Sequence, residues 1–215
     1  VVGNFLPNLI VLGHADQVNN ETLNKIRNFY PNTKICQWFL DKMDNKEWLV
    51  NKIRFLKKIN YIDVSFCTTH PDDINLPKKN NVKYIPNPVD STFENLKIYR
   101  NNAPIYDLFF ALSHGVHRGS LKKGKIDNRE FFLKKLINMN NEVKFNIFGI
   151  NDKQPIWSEN FKEELFKSKM ALNLSQGNPL KFYSSDRIAQ LIGNGILTFI
   201  DINTKLDKIF SKKEV

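Results

Sequence analysis

The stretch from Lys169 to Asp201 constrains the fold more than any other part of the chain. Residues 170–174 form a short apolar run, and the turn formers after it predict that a strand ends there. Apolar residues between 188 and 192 repeat at helical spacing, which predicts a helix with one apolar face. Two glycines close that helix, and the apolar run 196–200 predicts a strand buried in a parallel sheet. The order strand, loop, helix, strand is typical of a Rossmann-like α/β domain.

The loop before this helix carries polar residues where α/β proteins bind ligands. Ser184 and Ser185 are predicted N-caps, and Asp186 is predicted in the first helical turn, where a carboxylate suits the helix dipole. Parallel strands end at one edge of their sheet, and ligands bind in the crevice beyond that edge. From the pattern alone, an ordinary βαβ unit without a binding role explains the stretch as well as a ligand site does.

The rest of the chain repeats this alternation of strands and helices. The remaining predicted strands cover residues 8–14, 34–41, 61–69, 82–85, 107–113 and 144–150. Predicted helices lie between them, the first capped by Asn20 and ending near Phe29. Weak periodicity and the turn formers at 101–104 predict a domain junction near residue 100, and so domains 1–100 and 101–215. Right-handed crossovers then predict two parallel sheets.

The composition excludes two classes of protein, disordered proteins and proteins that span a membrane with a helix. The chain has 215 residues, of which 41% are hydrophobic and 12% aromatic, which is ample for a packed core. No apolar run approaches the roughly 20 residues that span a bilayer, and no signal peptide is recognisable. The missing initiator Met and the abrupt end predict a fragment truncated at both ends. Cys36 and Cys67 fall in predicted strands and are interpreted as buried free thiols, which favours a cytoplasmic protein, and a disulfide is the less favoured alternative.

The net charge of +10 favours a phosphate-bearing ligand or an anionic membrane surface. The lysines are spread over helices rather than gathered into one block, so we predict no nucleic-acid partner. A basic nucleic-acid-binding protein is the least favoured alternative. Peripheral contact with an anionic membrane is left open.

The stretch 169–201 resembles the nucleotide-sugar-binding segment of GT-B glycosyltransferases. The resemblance rests on the small-residue loop, the pair Asp186-Arg187, and a helix that ends in Gly-x-Gly before an apolar strand. It is most similar to the CgeB-like branch of group 1-like glycosyltransferases. The resemblance implies two Rossmann-like domains facing a cleft. It also implies sugar transfer from a nucleotide-diphosphate sugar, as substrate rather than cofactor, to a glycan or lipid-linked acceptor.

One position departs from the pattern of this family. Many retaining GT-B enzymes carry two acidic residues eight positions apart in this segment. Asp186 matches the second acid, which holds the ribose, but the position of the first, near the donor sugar, is Asn178. This departure keeps open a second interpretation, a non-catalytic nucleotide- or sugar-binding module.

Further donor-binding candidates follow the predicted strands of the second half. A diphosphate leaving group needs nearby cations because negative charge builds on its oxygen as the sugar departs. The loop after the strand 107–113 offers cations and glycines that allow close backbone approach, although it also fits a solvated basic loop. These loop candidates are Gly115, His117, Arg118 and Lys122. The resemblance adds Gly149, at a position where the backbone of GT-B enzymes supports the nucleobase of the donor. Tyr183 is predicted to stack on a ring, and Arg187 to approach the diphosphate.

Three residues at predicted strand ends in the first half are catalytic candidates, namely His14, Asp16 and Asp41. A hydroxyl nucleophile that attacks a sugar needs a general base, and histidine is the natural residue for that role. We therefore predict His14 as the base, against the alternative of a solvated or structural histidine. No His, Cys or Asp cluster has metal-ligand spacing, so the predicted transfer is independent of metal.

Overall fold

The computed structural model describes residues 2–76, 81–113, 128–150, 153–211 and 213. The chain divides into two compact units, the first made of residues 1–87 and 180–185 and the second of residues 88–179 and 186–215. A short segment from the second half of the sequence therefore belongs to the first unit. The predicted domain limit near residue 100 stays a prediction.

The first unit contains a four-stranded parallel sheet with the order β1-β2-β3-β4. Its elements are α1 (Val2–Phe5), β1 (Leu9–Gly13), α2 (Asn20–Phe29), β2 (Lys34–Phe39), α3 (Leu49–Leu56), β3 (Val64–Cys67), α4 (Pro71–Ile74) and β4 (Val82–Tyr84), with a 3-10 helix at Ile59–Tyr61. The four parallel strands predicted for this half are confirmed.

One face of the first sheet packs on its helices. The buried set is Leu12, Ile35, Phe39 and Cys67 from the strands, Leu23 from α2 and Phe55 from α3. Because the strands follow chain order in the sheet, right-handed connections place their helices on the same face. Leu9 and Val11 belong to the other face and are exposed.

The start of α2 differs from the prediction. Asn19, not Asn20, is the N-cap, and its side chain accepts a hydrogen bond from the Thr22 amide at 2.8 Å. Asn19 has the extended backbone that capping requires, whereas Asn20 is already helical and donates to the Lys57 carbonyl oxygen.

The segment 180–185 is bonded to residues near the carboxyl ends of β3 and β4. The bonds join Lys181 to Asp72 and Asp73, the Tyr84 hydroxyl to the Phe182 carbonyl oxygen, and the Asn87 side chain to the Ser184 carbonyl oxygen. The Phe182 ring also contacts the rings of His70 and Tyr84. This segment is therefore a packed part of the first unit.

The second unit contains a parallel sheet with the order β6-β5-β7-β8. Its elements are a 3-10 helix (Ile98–Arg100), β5 (Tyr106–Ala111), α5 (Asn128–Met139), β6 (Phe145–Phe148), α6 (Ser158–Phe166), β7 (Ser168–Asn173), α7 (Arg187–Gly193), β8 (Leu197–Ile200) and 3-10 helices at Ile202–Thr204 and Leu206–Ile209. The predicted parallel α/β sheet is confirmed.

Both faces of the second sheet pack on helices. Phe109 of β5 lies in a core cluster with Leu165 of α6 and Leu191 of α7. Its neighbour Phe110 belongs to a second cluster with Leu133 of α5. Successive residues of a strand point to opposite faces, so α5 covers one face and α6 and α7 cover the other.

Two predictions about the α7 region are wrong. The strand 196–200 was expected to be buried, but Leu197 and Phe199 are 64% and 50% exposed, because among the described strands β8 lies at the edge of the sheet beside β7. The predicted N-caps Ser184 and Ser185 do not begin α7, since they belong to the segment packed in the first unit. Asp186 occupies the cap position instead, without a capping bond from its side chain.

The prediction that glycines close this helix is confirmed. α7 ends at Gly193, and Gly195 has a φ of +75°. A Cβ on Gly195 would lie 2.6 Å from the Tyr99 ring, so both the backbone angle and the close ring require glycine.

Both cysteines are free thiols, as predicted. Cys67 is buried, and burial raises the pKa of its thiol to about 12. Cys36 is only half-buried. No helix within the described ranges is long and apolar enough to cross a bilayer.

Candidate functional site

The three predicted catalytic residues come together at the carboxyl edge of the first sheet. His14 and Asp16 follow β1, and Asp41 follows the neighbouring strand β2. His14 Nδ1 lies 3.9 Å from Asp41 Oδ2. Asp16 joins the group through Arg54 of α3, whose guanidinium lies 2.5 Å from Asp16 Oδ2 and 3.0 Å from Asp41 Oδ2. These four side chains are called the His14 cluster.

His14 is held in an unusual conformation. Its φ is +44°, in a region that few non-glycine residues occupy, although His, Asn and Asp are found there more often than others. Its imidazole stacks on the buried ring of Phe39, with centroids 5.2 Å apart and planes 15° apart. Backbone outliers of this kind concentrate at functional sites, so the conformation supports His14 as a functional residue.

Charge within the cluster keeps Asp16 ionised. The hydrogen bond from Arg54 lowers the pKa of Asp16 and outweighs the opposing effect of burial, with further help from the charges of Arg54, Lys58 and His14. The same bond raises the pKa of Arg54. Lys58 donates to the Ala15 carbonyl oxygen, and burial lowers the pKa of its ammonium group. Asp16 is therefore a carboxylate at neutral pH and has no proton to donate.

Asp186 and Arg187 line a cavity of about 370 Å³ at the carboxyl edge of the second sheet. Phe93 and Glu94 also line it, and the remaining residues lie at the end of β5, before and in the first turns of α6, and along or just after α7, among them Ser113, Trp157, Phe161, Lys162, Gln190 and Asn194. The Asp186 side chain is exposed. Ligand pockets typically measure about 300–1,000 Å³, so this cavity, here called the Asp186 cavity, is large enough for part of a nucleotide sugar.

The Arg187 side chain is bound within its own unit. Its guanidinium carbon lies 4.8 Å from the centroid of the Phe110 ring, and Nη1 donates to the Leu174 carbonyl oxygen at 2.9 Å. These contacts place the charge beside the end of β7. Its predicted approach to a diphosphate stays a prediction.

Asn178 lies in a different cavity from Asp186. It lines a larger, mainly apolar cavity of about 700 Å³, together with Ser175 and Gly177 and with side chains of α5, β7 and β8. The chain between positions 178 and 186 runs through the first unit, so eight residues of separation do not place the two side chains around one space.

The remaining described candidates have structural surroundings of their own. Gly149 has a φ of +84°, and a Cβ there would lie 2.2 Å from the Leu112 carbonyl oxygen, so strand packing already requires glycine. Tyr183 is 7% exposed, with the Lys42 ammonium 5.9 Å from its ring centroid. Ser184 is buried, and the buried Ser185 Oγ has no hydrogen-bond partner among the described residues. These last three belong to the first unit.

Four predicted donor-binding residues, Gly115, His117, Arg118 and Lys122, lie outside the described residues. Within the described ranges, no group of three His, Cys, Asp or Glu side chains is arranged to hold a metal ion.

Sequence reasoning missed Arg54 in the first unit and Trp157 and Lys162 in the second. Arg54 lies on the helix between β2 and β3, and helical spacing alone does not indicate that it reaches residues after β1. Trp157 carried a usable signal, since a large aromatic residue at the start of the predicted helix 157–167 lies near the binding edge of an α/β sheet.

Part of the chain is similar to a known family. A family model described as glycosyl transferase-like matches residues 128–215, which is less than half of the chain. Searches of curated proteins and of solved structures found no significant match. The matched region runs from α5 past β8 and includes both Asp186 and Arg187. Residues 128–215 are therefore similar to glycosyltransferases, which supports glycosyl transfer in general.

Proposed function

We propose that the protein is a metal-independent glycosyltransferase of the GT-B type. Its donor is a nucleotide-diphosphate sugar, and its acceptor is a hydroxyl group of a glycan or lipid-linked molecule. The family match supports glycosyl transfer in general. The observation that carries the proposal is the exposed carboxylate of Asp186, which lines a cavity at the carboxyl edge of the second sheet, inside the matched region.

The Asp186 cavity offers the groups that a nucleotide-sugar donor needs. A carboxylate can accept hydrogen bonds from both ribose hydroxyls, and such charge-assisted bonds are worth about 1.5–3 kcal/mol. Lys162 and Arg187 supply cations for the diphosphate, and Trp157 supplies an aromatic surface for a ring. The donor is therefore assigned to the second unit.

The His14 cluster supplies the base in this proposal. His14 accepts the proton of the acceptor hydroxyl, and Asp41 then faces the positive charge that forms on the imidazole. A positioned general base contributes roughly 10²- to 10⁴-fold to a reaction rate.

A non-catalytic nucleotide- or sugar-binding module is the second candidate. It is favoured by Asn178, which is not an acid and lines a cavity separate from Asp186. Such a module binds the donor but releases no nucleoside diphosphate, so turnover separates the two proposals.

The substitution Asp186→Asn tests the donor site. Asp186 makes no capping bond, so the variant should melt within about 1 °C of the wild type. We expect donor affinity to fall by roughly tenfold or more, because the neutral amide is a weaker acceptor than a carboxylate. Thermal-shift screening against common nucleotide sugars identifies the donor, and calorimetry then gives Kd for both proteins.

Asp207→Asn is the matched control, because Asp207 lies in the same unit, pairs with Lys208 and lines neither cavity. Its donor affinity should equal that of the wild type. Unchanged affinity in Asp186→Asn contradicts the donor site, and donor binding without release of nucleoside diphosphate favours the binding module. Loss of turnover on adding EDTA contradicts metal independence.

A further inference from the structure

Arg54 contacts both carboxylates of the His14 cluster. Its two terminal nitrogens are divided between them, with one bound to Asp16 and the other to Asp41. A guanidinium group presents donors in a rigid planar fork, so it fixes the positions of two carboxylates that a single lysine ammonium holds less precisely. Without such a bridge, two like charges near one another repel.

Asp41 Oδ2 is shared between two partners. Arg54 Nη1 donates to it at 3.0 Å, and His14 Nδ1 lies 3.9 Å away from the same atom. The second distance is beyond a hydrogen bond but within reach of an ion pair once the imidazole gains a proton. The position of this one oxygen therefore decides how well Asp41 can support a charged His14.

Arg54 is itself held in place. Nη1 also contacts Asn51 Oδ1 at 3.2 Å, and the guanidinium carbon lies 5.5 Å from the centroid of the Phe39 ring. Phe39 is the ring on which His14 stacks. His14, the proposed general base, and Arg54 therefore both contact the same buried ring, that of Phe39.

We propose that Arg54 is a positioning residue for the transfer reaction: it holds the Asp41 carboxylate where it stabilises the protonated His14 imidazole. This inference rests on the proposed function. The acceptor hydroxyl gives its proton to His14 Nε2, on the opposite side of the ring from Asp41. The acceptor oxygen forms a bond to the anomeric carbon as the bond from that carbon to the diphosphate breaks, and the electron pair leaves with the diphosphate.

The first measurement is donor turnover by full-chain variants at position 54. Arg54→Lys keeps the positive charge but loses the planar set of donors that binds two carboxylates. We expect its kcat to fall about tenfold while KM for the donor stays within twofold. Arg54→Ala should lose more, and guanidinium chloride at millimolar concentration should restore part of its kcat, whereas equal sodium chloride should not. Lys52→Ala is the control, because Lys52 lies on the same helix and its ammonium group binds Asn45 Oδ1 rather than a residue of the His14 cluster.

The second measurement is independent of turnover. NMR of the side-chain carboxyl carbon follows the protonation of Asp16 through an acid titration. The charges of Arg54, Lys58 and His14 act on this carboxyl group. In Arg54→Ala its titration should move up towards that of an ordinary aspartate, and in Lys52→Ala it should not move. An unmoved titration in Arg54→Ala overturns the inference, because the inference requires Arg54 to bridge Asp16 and Asp41, and Arg54 then does not hold Asp16.

The two measurements separate the possible failures. A shifted titration with unchanged kcat, or with no guanidinium rescue, overturns the positioning role but leaves the proposed function standing. A wild-type protein that turns over no donor overturns the proposed function and the catalytic part of this inference, whereas the titration still decides whether Arg54 holds the carboxylates.

Discussion

The carboxyl edges of the two sheets distribute their candidate residues differently. In the first unit, His14, Asp16 and Asp41 follow two neighbouring strands and meet in one cluster. In the second unit, Asn178 and Asp186 follow one strand and precede one helix, yet they line separate cavities. The first edge is compact and charged, whereas the second is divided by its loop.

The difference shows which relationship between sequence positions predicts that two residues lie close together in the fold. Residues directly after adjacent parallel strands converge, because the sheet itself sets the distance between the strand ends. Residues at the two ends of a loop converge only if the loop stays local. Here the loop contains the segment 180–185, which packs in the first unit. Spacing across a loop is therefore a weaker guide to a shared site than strand order.

The largest expected effect comes from removing the proposed base. Asparagine tolerates positive φ, so His14→Asn preserves the backbone at this position. We expect kcat to fall by about 10²- to 10⁴-fold, with Kd for the donor unchanged, because the proposed function assigns the general base to the first unit and the donor site to the second. Steady-state kinetics and calorimetry measure the two quantities. Equal losses in kcat and donor affinity would contradict the proposal that His14 acts as the base and takes no part in donor binding.

A stability test addresses the second edge through Gly149. Gly149→Ala forces a side chain into positive φ and against the Leu112 backbone, and we expect a loss of about 2–5 kcal/mol in the free energy of unfolding. Hydrogen exchange should show loss of protection in β5 and β6 and little change in β1 to β4. Gly13→Ala is the control, since nothing lies within 4 Å of its added Cβ, and it should change stability by less than about 1 kcal/mol. Near-normal protection in Gly149→Ala would show that the strand end can move aside.

The smallest expected effect concerns Asp63, at the amino end of β3. Its Oδ2 accepts from the Ile35 amide at 2.7 Å and from Arg27 at 2.6 Å. Burial alone would raise the pKa of Asp63, but these two bonds outweigh it and lower the pKa. Asp63→Asn should therefore lower the free energy of unfolding by about 1.5–3 kcal/mol at pH 7.

The sign of the pH dependence follows from that lowered pKa. The contribution of Asp63 is fully present above about pH 4, the ordinary range for aspartate, and is lost as the pH falls towards the folded-state pKa. Urea unfolding at pH 7 and pH 3 should show the gap between wild type and variant closing in acid. Glu21→Gln, which breaks an exposed pair with Lys25, should cost less than about 0.5 kcal/mol at either pH. A gap that widens in acid would contradict the assigned direction.

The sequence predicted the strands well because apolar runs bounded by turn formers report burial directly. In the part of the chain that the structure describes, all eight strands overlap the predicted runs, from 9–13 to 197–200. The exposure of β8 was not predictable in the same way, because central strands and edge strands can both have an apolar sequence. Edge position is set by strand order, which is a property of the whole sheet.

The geometry of the candidate site was predictable where its residues follow strands. His14 and Asp41 were expected at one edge of the sheet because each follows an apolar strand, and they do lie close together. Arg54 was not found, because its role comes from a contact between α3 and the end of β1, almost forty positions apart in the chain. The packing of Tyr183 was missed for a similar reason, since its unit is assigned by contacts with residues near position 80.

The segment 180–185 has a consequence for folding during synthesis. Domains generally fold in order from the N-terminus as the ribosome releases them, at about 5–20 residues per second. The first unit lacks part of its packing until Lys181, Phe182 and Ser184 have been made, because these residues bond to Asp72, Asp73, Tyr84 and Asn87. The ribosome must first produce all of residues 88–179, a delay of roughly 5–20 s. Nascent chains halted before residue 180 should therefore display a first unit that proteases cleave more readily than the same unit in the finished protein.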